Sequence, residues 1–380
     1  MKRYSDRLKP FLAYPFAEID RAKAEAKKKM RVVDFGVGDP DIPTDKHIQG
    51  ALVAGLHEND AHKYPSYSGD PEFRKAAARY FLNRWHVKLD PDTEILALIG
   101  SKEGIAHLPL AILNPCDIGC YPDPGYPVYK AGIVFAGGKA VPIKLRPDFG
   151  FLPDLNEIPE GTKLLWLNYP NNPTGQDAPA EFWREAIEKA REMNFVLVND
   201  SAYAEIYYGD RPTGPIAQGG KDVAIEIHSL SKPFSMCGWR VGFALGNADV
   251  LDALGAVKKN IDSGVFRPIQ QAAIAALDGF SDLIPPIVKI YKRRVDKLRE
   301  GLLSLGWELL PTPATFYVWT KVPNGYTSAE FAKKIIEEAG VVILPGSAMG
   351  QGGEGYVRFS LTLPEEDIDL GLERLSKVEL

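Results

Sequence analysis

Short apolar runs alternate with longer segments of helical spacing along most of the chain. Runs of four to six residues are typical of buried strands, and they lie at 94–99, 164–167, 195–198, 223–227 and 241–245. Helical spacing and start signals predict helices at 44–56, 71–85 and 105–113 and a helix that ends near 277. Thr44 and Asp70-Pro71 supply two of these start signals.

The pattern changes after about residue 284. A short strand at 32–36 has no other predicted strand close to it in the sequence. The part after residue 284, in contrast, contains several predicted helices and strands. A long charged helix comes first, then a strand, a helix and two further strands, at 287–305, 316–320, 328–340, 341–344 and 355–360. Helices that alternate with a few separate strands predict a smaller α/β sandwich.

A hinge between two domains is predicted near the start of the chain. Asp39-Pro40 and Ile42-Pro43 stop any helix from crossing this point. A chain of 380 residues also exceeds the size at which one hydrophobic core stops growing. We therefore predict a large domain at 41–283 and a small domain formed by 1–40 and 284–380.

Composition and charge exclude several classes of function. The net charge is -5, and no window carries the Lys/Arg cluster that a nucleic-acid partner requires. Apolar stretches fall short of the ~20 residues of a membrane helix, and the first residues carry no secretion signal, so a cytoplasmic protein is expected. Cys116, Cys120 and Cys237 form neither a disulfide framework nor a zinc pattern, so they are expected to be reduced, and no metal site is predicted.

One turn between two predicted strands concentrates candidate chemistry. It reads Ser-Leu-Ser-Lys and contains Ser229, Ser231 and Lys232, with Arg240 following after seven residues. A lysine at the end of a buried strand loses hydration, which lowers its pKa and leaves an amine able to react with a carbonyl. The two hydroxyls and the guanidinium suit a phosphate dianion. An ordinary polar turn is the alternative.

Four other positions carry candidate chemistry, and each also has a structural explanation. A Gly-Ser turn at Ser101 and Lys102 offers unpaired N–H groups to a phosphate, although a helix start without a ligand looks the same. Asn172 is held extended by the proline after it. Asp200 ends a buried strand, where a carboxylate needs a cation or is a helix cap. Arg358 lies mid-strand, where a salt bridge is common.

Five motifs in order make the whole chain resemble one family. They read Gly-x-Gly-Asp-Pro from residue 36, Asn-Pro-Thr-Gly from 172, Asp-x-x-Tyr from 200, Ser-x-Ser-Lys from 229 and Val-Arg-Phe-Ser from 357. The chain resembles the fold-type I pyridoxal-phosphate aminotransferases of class I/II. This resemblance implies an α/β fold with a mostly parallel seven-stranded sheet, a smaller α/β domain from both chain ends, and a homodimer with shared active sites.

The resemblance also implies a role for each candidate residue. Lys232 holds pyridoxal 5'-phosphate covalently and moves a proton, while Asp200 keeps the ring nitrogen protonated and Tyr203 bonds the phenolic oxygen. Cofactor contacts are implied for Ser101, Lys102, Tyr126, Asn172, Asp200, Tyr203, Ser229, Ser231, Lys232, Arg240 and, from the neighbouring chain, Tyr64. Substrate contacts are implied for Gly38, Asn172, Arg358 and, from the neighbouring chain, Arg267.

Three further segments are similar to bacterial LL-diaminopimelate aminotransferases. They begin with Phe16-Ala-Glu-Ile-Asp and include 100–109 and 262–266. That subgroup often has Gln-Ala where this chain has Arg267-Pro268. Arg267 and the Lys102-Glu103 pair are expected to read the distal end of such a substrate. Aspartate, alanine and aromatic aminotransferases are the alternatives within the class, and C-S lyases and transcriptional regulators share the same lysine.

Overall fold

The computed structural model describes residues 4–12 and 17–379. Its α-helices are α1 Lys9–Leu12, α2 Ala17–Lys29, α3 Lys46–Leu56, α4 Pro71–Trp85, α5 Ser101–Ile112, α6 Val128–Phe135, α7 Ala180–Met193, α8 Ala248–Ile261, α9 Arg267–Asp278, α10 Phe280–Ser304, α11 Ser328–Ala339 and α12 Glu365–Leu375. Its strands are β1 Val33–Asp34, β2 Ile95–Leu98, β3 Ile118–Asp123, β4 Lys139–Arg146, β5 Leu152–Pro153, β6 Thr162–Leu167, β7 Val196–Asp200, β8 Ala224–Ser229, β9 Gly242–Gly246, β10 Tyr317–Lys321, β11 Val341–Val342, β12 Leu344–Pro345 and β13 Tyr356–Ser360.

The large sheet has the order β2-β9-β8-β7-β6-β3-β4-β5. The pairs β8–β7, β7–β6, β6–β3 and β3–β4 are parallel, and β9 runs antiparallel to both of its neighbours. The first seven strands confirm the expected mostly parallel sheet. The two-residue strand β5 adds an antiparallel edge next to β4, which the apolar pattern did not predict because the segment is so short.

Helices cover both faces of this sheet. One face packs against a core that includes Phe73 and Phe81 from α4 and Trp183 from α7. The other face packs against Ile105 from α5 and Tyr129 from α6. Because both faces are covered, strands such as β8 are buried along their whole length. The carboxyl ends of the parallel strands therefore meet at one edge, where polar side chains are presented together.

A second core surrounds the C-terminal strands. An antiparallel sheet of order β10-β13-β12 and a parallel pair β1–β11 pack with α10, α11 and α12. The predicted strand at 341–344 is divided, because β11 pairs with β1 whereas β12 pairs with β13. The predicted domain boundary at 283 falls inside α10, and the division at 41–283 stays a prediction.

Helix starts differ from the sequence pattern where side chains cap them. Asp45, not Thr44, caps α3 by accepting from the His47 backbone N–H, and the Thr44 hydroxyl instead donates to the Ser235 carbonyl. α5 begins at Ser101, four residues earlier than predicted, directly after Gly100 with φ +79°. Across 4–12 and 17–379, no helix combines the length and apolar character of a membrane span.

Candidate active site

A cleft of about 650 Å³ lies at the carboxyl edge of the large sheet, against the small sheet. Twelve residues that the sequence predicted for the site line it together: Gly38, Ser101, Lys102, Tyr126, Asn172, Asp200, Tyr203, Ser229, Ser231, Lys232, Arg240 and Arg358. They come from elements far apart in the chain. The topology therefore assembles the predicted constellation in one place.

Lys232 projects into this cleft from the turn after β8. Its Nζ donates to the Gly38 carbonyl at 2.7 Å and lies 3.5 Å from the Cys237 Sγ. The Cys237 thiol also contacts the Ser231 carbonyl at 3.2 Å, and burial raises the pKa of this thiol. The amine is thus held by one backbone oxygen and one weak sulfur partner, without a carboxylate among its hydrogen-bond partners in the described chain.

One end of the cleft is built to receive an anion. Gly100 caps α5 without a side-chain cap, so N–H groups of the first turn are left for a ligand. The Arg240 guanidinium lies directly against Gly100, where a Cβ would collide with it. Ser229 and Ser231 line the same cleft. Uncapped N–H groups, hydroxyls and a guanidinium form a donor set that suits a phosphate dianion.

A buried carboxylate lies at the end of β7. Asp200 is 5% exposed, and burial raises its pKa to about 6 although a hydrogen bond from the Tyr129 hydroxyl lowers it. That hydroxyl donates to Asp200 Oδ2 at 2.7 Å, and Tyr129 stacks on Trp166 with ring centroids 5.3 Å apart. Asp200 is therefore a fixed anion that a cation in the cleft would stabilise.

The opposite wall carries a guanidinium fork. Arg358 Nη1 donates to Asn172 Oδ1 at 2.7 Å and Nη2 donates to the Gly36 carbonyl at 2.9 Å. Its Cζ lies 4.1 Å from the centre of the Tyr317 ring. The buried Nε has no hydrogen-bond partner in the described chain. Nη1 and Nη2 each have a second N–H, and Arg358 lines the cleft, so its guanidinium can bind a further anionic ligand such as a carboxylate.

Two predicted residues lie outside the cleft of their own chain. Tyr64 is 93% exposed. Arg267 forms ion pairs with Asp60 and Asp70. The loop after α8 lies against the loop that carries Tyr64. The contact is so close that a Cβ on Gly264 would collide with the Ser66 carbonyl oxygen.

The Lys102-Glu103 pair is separated by the fold. Lys102 lines the cleft with its Nζ 5.8 Å from the Tyr126 ring centre. Glu103 points inward, where the fully buried Lys258 donates to both of its oxygens at 2.9 and 3.0 Å. The expectation that Glu103 contacts a substrate is therefore wrong for this chain's own cleft, since its carboxylate is engaged in a buried ion pair with Lys258. Phe16, which carried part of the resemblance, lies outside the described residues.

The residues of the cleft fit pyridoxal phosphate. The cofactor has a phosphate, a ring nitrogen that becomes cationic and an aldehyde. The uncapped start of α5 with Arg240 matches the first, the buried Asp200 matches the second and the Lys232 amine matches the third. Arg358 lines the same cleft and supplies a guanidinium for the carboxylate of an amino acid.

Sequence reasoning missed several residues of this cleft, and three of them carry a tyrosine hydroxyl or a thiol. Tyr129 and Tyr317 line it, and Cys237, which was expected to be structural, also faces it. The spacing of Tyr126 and Tyr129 was a usable signal, since residues three apart in a helical turn share a face. Nothing in the local pattern distinguished Tyr317 from an ordinary core residue of its strand.

Comparisons with known proteins agree with this geometry. The model of the family "Aminotransferase class I and II" matches residues 30–375. An LL-diaminopimelate aminotransferase from Aquifex aeolicus is 48% identical, with all of both chains covered. One from Halothermothrix orenii is also 48% identical over 99% of this chain and 98% of its own. The substrate-bound BacF structure from Bacillus subtilis superposes with a TM-score of 0.94 at 34% identity, covering 99% of this chain and 98% of that one.

Proposed function

Because the chain belongs to the class I and II aminotransferases, which use pyridoxal phosphate, we propose that it transfers an amino group from LL-2,6-diaminopimelate to a 2-oxo acid such as 2-oxoglutarate. The observation that carries this proposal is the position of the Lys232 amine in one cleft with Asp200 and Arg358. The choice of amino donor rests on the full-length relatives at 48% identity that carry that name.

We assign the proton transfer to Lys232. Pyridoxal phosphate, when bound, supplies a conjugated ring that accepts the electron pair released at the amino acid's Cα. Lys232 Nζ would take the proton from that Cα and deliver it to the cofactor's C4' within the same half-reaction, and it would carry a proton from C4' to the Cα of the second substrate in the other half. Among the residues that the structure describes, the amine has the Gly38 carbonyl and Cys237 as hydrogen-bond partners and no carboxylate. An amine that no carboxylate holds is suited to act as a general base.

Arg358 and Asn172 orient the substrate in this proposal. The guanidinium is already fixed by Asn172 and Gly36, and the second N–H groups of Nη1 and Nη2 would bind the α-carboxylate. A planar fork that binds both carboxylate oxygens holds the Cα–H bond in one direction. Asp200 would stabilise the protonated ring nitrogen of the cofactor, and the Tyr129 hydroxyl keeps its carboxylate in place.

We further propose a cytoplasmic homodimer in which each cleft is completed by the partner subunit. Exposed aromatic side chains on two touching loops support this proposal, since Tyr64 is 93%, Tyr67 47% and Phe266 44% exposed. In this arrangement Tyr64 would reach the phosphate end of the other cleft. Arg267 is paired with Asp60 and Asp70 and would stabilise that loop. It would bind the distal carboxylate of a substrate only if its ion pair with Asp60 were broken. The free state of all three cysteines agrees with a reducing compartment.

A panel of amino donors tests the function. The purified protein with pyridoxal phosphate and 2-oxoglutarate should form glutamate from LL-diaminopimelate with a kcat/KM at least ~100-fold above that for aspartate, alanine or phenylalanine, because a second charged end adds hydrogen bonds to charged groups. Lys232→Ala should abolish the reaction. Preference for another donor would overturn the substrate assignment, and release of pyruvate and ammonia from cystathionine without an oxo acid would indicate a lyase.

A further inference from the structure

We propose that Tyr317 is a positioning residue that acts on two parts of the active site through separate atoms. Its hydroxyl directs the proton of the Tyr203 hydroxyl, and its ring fixes the Arg358 guanidinium. The inference rests on the proposed function, because it assumes that Tyr203 serves the cofactor's phenolic oxygen and Arg358 the substrate carboxylate. No local sequence pattern indicates either contribution, and both follow from contacts across the cleft.

Tyr317 links the two sheets at the cleft. It lies at the start of β10, and its side chain is 2% exposed. Its hydroxyl is 2.8 Å from the Tyr203 hydroxyl, and the two rings meet edge to face with centroids 5.5 Å apart. The hydroxyl also lies against Gly38, where a Cβ would collide with it. Gly38 in turn accepts the hydrogen bond of Lys232. Tyr317 therefore contacts Tyr203 and Gly38 directly, and Gly38 is the residue that holds the Lys232 amine.

The order of the two hydroxyls follows from counting donors and acceptors. Each tyrosine hydroxyl has one proton to donate. If Tyr203 gives its proton to an anionic oxygen in the cleft, then the hydrogen bond between the tyrosines must be donated by Tyr317. A donor behind Tyr203 polarises its O–H bond and strengthens the bond that Tyr203 makes in the cleft. The hydroxyl of Tyr317 thus acts on a cofactor atom without touching it.

The ring of Tyr317 has a different task. The Arg358 Cζ lies 4.1 Å from the ring centre, so the guanidinium is stacked on the ring face. Hydrogen bonds to Asn172 and Gly36 hold two edges of the same group. Together these contacts restrict the guanidinium to one plane, which favours two-point binding of a carboxylate. Removal of the hydroxyl leaves this stacking in place, whereas removal of the ring abolishes it.

Two substitutions separate the two contributions. Tyr317→Phe should raise the pH midpoint of the absorption change of the bound cofactor by roughly 0.3 to 1 pH unit, because an oxygen that receives a weaker hydrogen bond keeps its negative charge less stably. The kcat should fall roughly 2- to 10-fold, while the Kd for glutarate, a dicarboxylate without an oxo group, stays within about 2-fold of wild type. Tyr317→Leu should in addition raise that Kd by roughly 3- to 30-fold.

Tyr203→Phe and Tyr291→Phe are the reference variants. The former should shift the midpoint in the same direction and further. Tyr291 is also fully buried next to Phe316, and its hydroxyl has no partner in the described chain, so its loss should leave the midpoint and the glutarate Kd unchanged. An unshifted midpoint in Tyr317→Phe would overturn the hydroxyl role, and equal glutarate affinity in Tyr317→Phe and Tyr317→Leu would overturn the ring role. A wild-type protein without transaminase activity would instead contradict the proposed function.

Discussion

Two carboxylates in this protein, one buried and one partly buried, have the same raised pKa and different surroundings. Burial raises the pKa of both Asp200 and Asp177 to about 6. Asp200 accepts hydrogen bonds from Tyr129 and from the Ala202 backbone, and it faces the cleft. Asp177 follows the Asn-Pro-Thr-Gly segment, and its Oδ1 has no hydrogen-bond partner in the described chain. In the proposed function a cationic ring nitrogen in the cleft would offset the cost of charging Asp200, whereas Asp177 does not line the cleft.

Asp177→Asn should therefore stabilise the protein in a pH-dependent manner. The folded-state pKa of about 6 lies above the ordinary 3.8. The folded state thus binds this proton more tightly, and stability falls as pH rises from about 4 to 6, by roughly 3 kcal/mol in all. Asparagine does not titrate, so the Tm of the variant should exceed that of wild type by roughly 2 to 5 °C at pH 8 and converge with it near pH 4.

An exposed aspartate supplies the control for this comparison. Asp210 lies on the surface, and Asp210→Asn should leave the Tm within about 1 °C of wild type at both pH values. A difference between Asp177→Asn and wild type that stays constant from pH 4 to pH 8 would show that titration of Asp177 does not contribute.

At the scale of elements, one loop contact joins the two sheets beside the cleft. The segment 346–353 lies against the loop that presents Tyr126. The Gly352 N–H donates to Asp123 Oδ1 at 2.9 Å, and the Gly125 N–H donates to the Met349 carbonyl at 2.7 Å. Gly350 has φ +122°, and a Cβ there would collide with the Asp123 carboxylate. Glycine is required at this position by both its backbone conformation and its close neighbour.

Gly350→Ala should loosen this contact and weaken substrate binding. We expect KM for the amino donor to rise roughly 3- to 10-fold, which corresponds to the loss of one or two hydrogen bonds that hold the segment. Absorbance of the bound cofactor should change little, because the phosphate end lies on other elements. Steady-state kinetics and spectra of the loaded enzyme measure both effects.

Gly355→Ala is the matched control for strain alone. Gly355 has φ +83°, and a Cβ there would meet nothing within 4 Å. The control variant therefore places an alanine at a positive φ without the collision. If both variants raise KM equally, the effect comes from strain in the segment and not from its contact with Asp123.

At the scale of the whole molecule, the exposed Tyr64 bears on how many chains make one active site. Its loop touches the loop after α8, and the side chain is almost entirely in solvent in the single chain. A tyrosine exposed to this degree next to other exposed aromatic residues fits a surface that a second copy covers. For the proposed dimer, the point to test is whether the Tyr64 that serves a given Lys232 comes from the same chain or from the partner chain.

Mixing two inactive variants answers that question. Lys232→Ala and Tyr64→Ala, unfolded and refolded together, should regain roughly a quarter of wild-type activity, because half of the dimers are mixed and each has one complete cleft. Lys232→Ala mixed with Asp200→Ala should regain none, since both of these residues serve the cleft of their own chain. Absence of rescue in the first mixture, with mixed dimers present, would place Tyr64 outside the partner's cleft.

The sequence alone determined most of the fold and the chemical groups of the site. Lys232, Asp200 and Asn172 each follow a short apolar strand, and Arg358 lies within one. Their positions depend on local signals, because the end of a parallel strand lies at one edge of the sheet wherever the strand stands in the order. For the same reason the apolar pattern predicted five strands of the large sheet, but not the strand at Lys139–Arg146 or the two-residue edge strand at Leu152–Pro153.

The tertiary structure alone decided which groups meet. Tyr317 and Tyr203 are 114 positions apart, Tyr129 and Asp200 are 71 apart, and Glu103 and Lys258 are 155 apart. No local pattern encodes such pairs, since each depends on how helices and sheets pack. Packing turned Glu103 inward to a buried lysine because an uncompensated ammonium in the core would be costly. Packing likewise brought the Tyr317 hydroxyl to Tyr203 and its ring beneath the Arg358 guanidinium.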